Sequence, residues 1–147
     1  MPNAATRQGR LDDTTLLARL STLVAQDRKT SARMLWHLAE VDARGLYRDE
    51  GYSSLFDYCV KSLRMSEGEA SLRIRAARLS RRFPGVLSQV ERGELHLSAL
   101  RVLAPVLTED NHRALLASAT HKTKRQVEQM LADMAPTPDA KSTSAAA

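Results

Sequence analysis

Apolar residues recur at steps of three and four along most of the chain, and no β-branched run alternates for long enough to make a strand. Leu16, Leu20, Leu23 and Val24, followed by Met34, Leu35, Leu38 and Val41, hold this spacing through the first segment. Asp12 or Asp13 can start a helix there and Gly45 can stop it. The polar stretch 27–31 contains neither Gly nor Pro, so one long helix is predicted rather than two. Residues 46–52 read as a connection that pivots on Gly51.

The stretch 51–79 reads as a short helix, a tight turn and a second helix. Ser53 or Ser54 can cap the first helix, and Ser66 caps the second, with Glu69 three residues later completing a capping box. Leu63, Arg64 and Met65 leave little room between them, so the two helices must meet at a steep angle. That is the local grammar of a helix-turn-helix, whose second helix enters a DNA major groove. Leu55, Phe56, Cys59, Leu63, Ala70, Ile74 and Leu79 are expected to pack between its helices.

Phe83 and Pro84 end the second helix near Arg82. Pro84 then opens a short helix over 85–92, with Gly93 as its C-terminal cap. Ser98 begins another over 99–107, and Thr108 caps one over 109–118. Thr123 and Gln126 form a capping box for a last helix reaching Met134. Residues 1–11 and the Pro/Ser/Ala-rich 136–147 are expected to be disordered ends around one helical domain, 12–135. The predicted fold is all-α, a bundle with a long N-terminal helix and an internal helix-turn-helix.

Composition agrees with that picture. Aromatic residues make up only 4% of the 147, so the core must be built from Leu, Ala, Val and Met, which suits helices better than a β-sandwich. The single cysteine, Cys59, has no disulfide partner within the chain and sits among apolar neighbours, which fits a small buried side chain in a reducing compartment. No signal core or membrane-length apolar run is present, and a cytoplasmic protein is expected.

The net charge of +5 points weakly to a polyanionic partner; its placement points further. In the helix after Ser66, residues Glu67, Ser71, Arg75, Arg78 and Arg82 follow steps of four, four, three and four and share one face. Leu72, Ala76 and Leu79 lie on one flank, and Ala70, Ile74 and Ala77 on the other. The helix is therefore wedged into a bundle with its arginine stripe exposed. Nearby acids are expected to be only Glu67 and Glu69, both explained by the first turn. Lys61 and Arg64, from the preceding helix and turn, are expected to add phosphate contacts. Ser71, Arg75, Arg78 and Arg82 form the expected DNA-binding face, with Arg75 reading a base.

The stretch 38–135 resembles the all-α N-terminal domain of bacterial HNH endonuclease family proteins. The matching residues are HLAEVDARGLYRDEGYSSLFDYCVKSLRMSEGEASLRIRAARLSRRFP and then ERGELHLSALRVLAPVLTEDNHRALLASATHKTKRQVEQML. Residues 65–104 are similar, more weakly, to the helix-turn-helix region of ParB-like partition proteins, with Ser66, Arg75, Pro84, Gly93, Leu95 and Leu97 in the matching positions. Both resemblances imply double-stranded DNA as partner. The first also implies a separate nuclease module, and here the sequence departs from the family. After Ala135 there is only tail, so the chain reads as a stand-alone relative or as the front of a longer gene.

His37, His96, His112 and His121 are scattered, and none has metal-ligand spacing to a cysteine or carboxylate. Asn111 and His112 read as a surface capping pair and His121 as exposed. Neither triads nor glycine-rich phosphate loops occur, so no catalytic residue, metal site, cofactor or small-molecule substrate is expected. The competing expectation is a helical interaction domain that docks a partner or forms a homodimer through its long first helix, its arginines serving solubility.

Overall fold

The computed structural model describes residues 10–135 of the chain. Among these there are eight α-helices and no strand: α1 (Asp13–Arg44), α2 (Leu46–Asp49), α3 (Leu55–Lys61), α4 (Glu67–Arg82), α5 (Val86–Glu91), α6 (Leu97–Leu103), α7 (His112–Ser118) and α8 (Lys124–Met134). The chain is all-α, as its apolar spacing predicts. The expected tail 136–147 and most of the expected N-terminal segment lie outside the described residues.

α1 is a single helix of 32 residues, about 48 Å long at 1.5 Å per residue. Its first turn is held by Asp12, whose carboxylate accepts the Thr15 N–H at 2.7 Å. It stops at Gly45, where φ of 64° lets the backbone turn left-handed and return its N–H to Val41 and Asp42 carbonyls. Only its second half is anchored. Ala32, Leu35, Leu38 and Ala39 are buried, whereas every residue over 16–30 is exposed.

α4 is the central element. Ala70, Ile74, Ala76, Ala77 and Leu79 are buried on its two flanks, and α1, α3 and α6 pack around it. Alanines on those flanks let neighbouring helices approach closely. The core continues beyond the α3–α4 pair through Phe83, Val86, Leu100, Leu103 and Val127, all fully buried. α5 lies against α1, and α8 closes the bundle over α6. Gln89 of α5 donates to the Leu116 carbonyl at 3.2 Å and the Thr120 hydroxyl at 3.3 Å, tying the α7 end to the same body.

Several local expectations need correction. Leu63 and Phe56 do not pack between α3 and α4: they are 44% and 39% exposed, because α3 runs only from Leu55 to Lys61 and turns Leu55 and Cys59 inward instead. Ser54, not Ser53, caps α3, accepting the Asp57 N–H at 3.0 Å. Ser66 does cap α4, but Glu69 does not reach back to complete a box; its carboxylate takes Arg73 at 3.0 Å.

Residues 46–52 are not a plain connection, since α2 forms one turn and buries Tyr47. α6 starts before Ser98 and ends ahead of Pro105. Thr108 and Asn111 exchange side-chain-to-backbone hydrogen bonds in a turn before α7 rather than inside it. The Thr123–Gln126 capping box is present in full.

Candidate nucleic-acid interface

The exposed stripe of α4 forms one wall of an open groove of about 650 Å³. Ser71, Arg75, Arg78 and Arg82 line it together with Ile74 and Leu79 of the same helix. Facing them are Ser54, Leu55 and Phe56 at the start of α3, and Ala104 with Pro105 just past α6. Helical spacing alone brings the four polar residues onto one line; the groove exists because α3 and the end of α6 flank that line. Phe56, exposed for want of a place in the core, becomes part of its wall.

The arginines are not equivalent. Arg78 reaches across to α1 and donates twice to Asp42, Nε to Oδ2 at 2.9 Å and Nη2 to Oδ1 at 3.2 Å. That bidentate bond raises the Arg78 pKa further above its already high ordinary value. Arg75 and Arg82 have no carboxylate within ion-pair distance among the described residues. Arg82 instead lies over the Phe83 ring, its guanidinium carbon 4.7 Å from the centroid, where the ring face attracts the cation. Arg81, off the groove, bonds Glu40 at 2.8 Å, and that contact is the main reason the Glu40 carboxyl sits below its ordinary pKa.

The acids around α4 are therefore not confined to Glu67 and Glu69. Glu40 and Asp42 come from α1, 41 and 36 positions away in sequence, and no local signal marks them as partners. Lys61 and Arg64 do not line the groove. Lys61 is paired with Asp57 one helical turn back at 3.2 Å, and Arg64 sits at φ 61° in the turn between α3 and α4, a conformation rarely adopted by side chains other than Gly, Asn or Asp. Both are exposed at the end of the pair away from the groove.

The histidines do not converge. His37 is exposed with Nδ1 2.6 Å from the Arg33 carbonyl, and His121 is exposed in a left-handed turn. His112 is buried rather than a surface capping residue, stacked on Phe83 at 5.0 Å between ring centroids. Its Nδ1 faces the Thr108 and Glu109 carbonyls at 3.1 and 2.9 Å, so that nitrogen carries the proton. Among the described residues, no three His, Cys, Asp or Glu side chains lie close enough together to share a metal ion. Cys59 is buried, and burial pushes its thiol pKa up, away from the reactive thiolate. No helix in the described residues is long and apolar enough to cross a membrane. Comparison with family models, characterised proteins and solved structures yields no match to the chain.

Proposed function

We propose that this is a DNA-binding domain whose groove takes the sugar-phosphate backbone of a duplex, a partner that the resemblance to the helical domain preceding HNH nuclease modules also implies. The observation that carries this reading is Arg75 and Arg82, two helical turns apart along one wall of an open groove and, among the described residues, without a carboxylate partner. Unpaired guanidiniums at the rim of an apolar-floored groove suit phosphate, which accepts two parallel N–H bonds from each. The Ser71 hydroxyl adds a donor one turn away. Arg78 contributes less than its neighbours, because a phosphate must compete with Asp42 for it. Arg64, in the α3–α4 turn, supplies long-range attraction, while Lys61 adds less because Asp57 offsets its charge.

The test is duplex binding by fluorescence anisotropy at two salt concentrations, for the wild type and for Arg75→Ala, Arg82→Ala and the double variant. Each phosphate contact removed should flatten the salt slope by about one unit, and if Arg75 reads a base its loss should cost about 1–3 kcal/mol at that base pair. Arg78→Ala should change binding least of the three arginines. A folded double variant that binds like wild type would leave the arginines as a solvated face, and the interaction-domain reading would replace this one. A second readout is nicking of supercoiled plasmid in magnesium or manganese, for which we expect none above background; cleavage abolished by a chelator and tracking with the purified chain would be the contrary result.

A further inference from the structure

The first half of α1 presents an uncovered apolar stripe, and we infer that its occupant is the same stripe of a second copy, paired antiparallel about Leu20. Leu16, Leu17, Leu20, Leu23 and Val24 are all large, apolar and 41–67% exposed. Counted from Leu20 they fall at −4, −3, 0, +3 and +4. At 3.6 residues per turn all five lie within about 60° of the Leu20 direction. The order of positions reads the same in both directions along the helix. A two-fold axis through the helix pair at Leu20 therefore sets Leu20 on Leu20, with Leu16 level with Val24 and Leu17 level with Leu23 of the other copy. Such self-matching is what a two-fold interface requires, and antiparallel helix dipoles favour it.

No described element of the chain covers the stripe. The residues outside the described range, 1–9 and 136–147, contain Met1 as their only large apolar side chain. Nor is the helix self-sufficient: a free helical arm of this length is marginal in water without a packed face. The stripe ends at each side in a carboxylate, Asp13 and Asp27, which the antiparallel register places opposite one another. These like-charge pairs weaken the dimer, and reversing the charge of one member tests the register. The contact is short, so an affinity in the micromolar range is expected rather than that of an obligate dimer. This inference is independent of DNA binding.

Sedimentation equilibrium of the full chain should show a monomer–dimer equilibrium with Kd on the order of 10 µM. Leu20→Glu, which brings two like charges onto the axis, should weaken it at least ~10-fold. Trp36→Glu, equally exposed but on the opposite face of α1, should leave it unchanged. Asp27→Lys should tighten it, because each new ammonium meets Asp13 of the other copy. Under mild oxidation Leu20→Cys should cross-link readily and Leu16→Cys should not, while the Leu16→Cys/Val24→Cys double variant should. All these sites are exposed, and circular dichroism checks that each variant stays helical. A chain that remains monomeric to about 1 mM, far above the affinity range of specific interfaces, would overturn the inference and assign the stripe to a different partner protein. Cross-linking of Leu16→Cys as fast as Leu20→Cys would overturn it too, since that result belongs to a parallel pair.

Discussion

Over 16–24 and again over 34–41, α1 places apolar side chains at the same helical steps, yet Leu20 is 57% exposed and Leu35 is fully buried. Nothing in the local pattern separates the two halves. What separates them is whether another element lies alongside: α4 and α5 pack on the second half, and no described element covers the first. Arg28 marks the boundary, its guanidinium lying close over Gly93 just after α5. Beyond that point toward the N-terminus no described element packs on the helix. An amphipathic period thus reports that a face seeks burial and leaves open which molecule provides it.

The largest effect should come from the anchored half. Leu35→Ala removes a wholly enclosed side chain where α1 meets the core, and urea unfolding should record a loss of about 2–5 kcal/mol. A change of a few tenths would mean that α1 is not fixed to the bundle as described.

The boundary is tested by Gly93→Ala. Gly93 has φ of 74°, and an added Cβ would come within 2.6 Å of the Arg28 guanidinium. That side chain can swing away, so most of the cost is the left-handed backbone, about 1–2 kcal/mol. Hydrogen exchange should show the loosening in α1 near Arg28.

Asp42→Asn probes the polar seam between the anchored half and α4. The Asp42–Arg78 pair is largely open to water, so its removal should cost only about 0.2–1 kcal/mol. The released Arg78 should at the same time strengthen duplex binding and steepen its salt dependence, up to about one unit. Weaker DNA binding by a folded Asp42→Asn variant would count against the groove as the interface.

Acid should act on both halves. Asp12, capping the bare half, is held below its ordinary pKa of 3.8 chiefly by the Thr15 backbone N–H. Glu40, on the anchored half, lies below 4.5 chiefly through Arg81. Carboxyls depressed in the folded state add stability that is fully present above those ordinary values and is lost as pH falls through the lowered ones. Melting temperature should accordingly decline as pH drops below about 4.5, the upper end of that window. Flat stability from pH 5 to pH 2 would show that neither contact persists in solution.

The smallest effect is expected at the counterpart of Leu35. In dilute protein, where the chain is monomeric, Leu20→Ala should change unfolding free energy by no more than about 0.5 kcal/mol, as for a surface site. A loss of several kcal/mol would mean that the first half of α1 is covered within a single chain.

Much of the fold was legible because its signals are local. The caps at Asp12, Ser66 and Thr123, the stop at Gly45 and the break at Phe83 and Pro84 each depend on groups within one turn of each other. The alignment of Ser71, Arg75, Arg78 and Arg82 is equally local, being a property of the helical repeat. Short helices were harder to bound. In α6 and α7 a proline and a reciprocal Thr108–Asn111 turn compete with propensity over only two turns of helix.

The amino-acid sequence by itself determined that this chain is helical, where its longer helices begin and end, and which arginines share a face, since backbone hydrogen bonding and side-chain period act over three or four residues. Only the tertiary structure decided which apolar faces found partners, that Phe56 walls a groove while Phe83 and His112 stack inside, and that Asp42 takes Arg78 while Arg75 and Arg82 stay open. Those outcomes depend on contacts between residues tens of positions apart, set by how whole helices pack against each other.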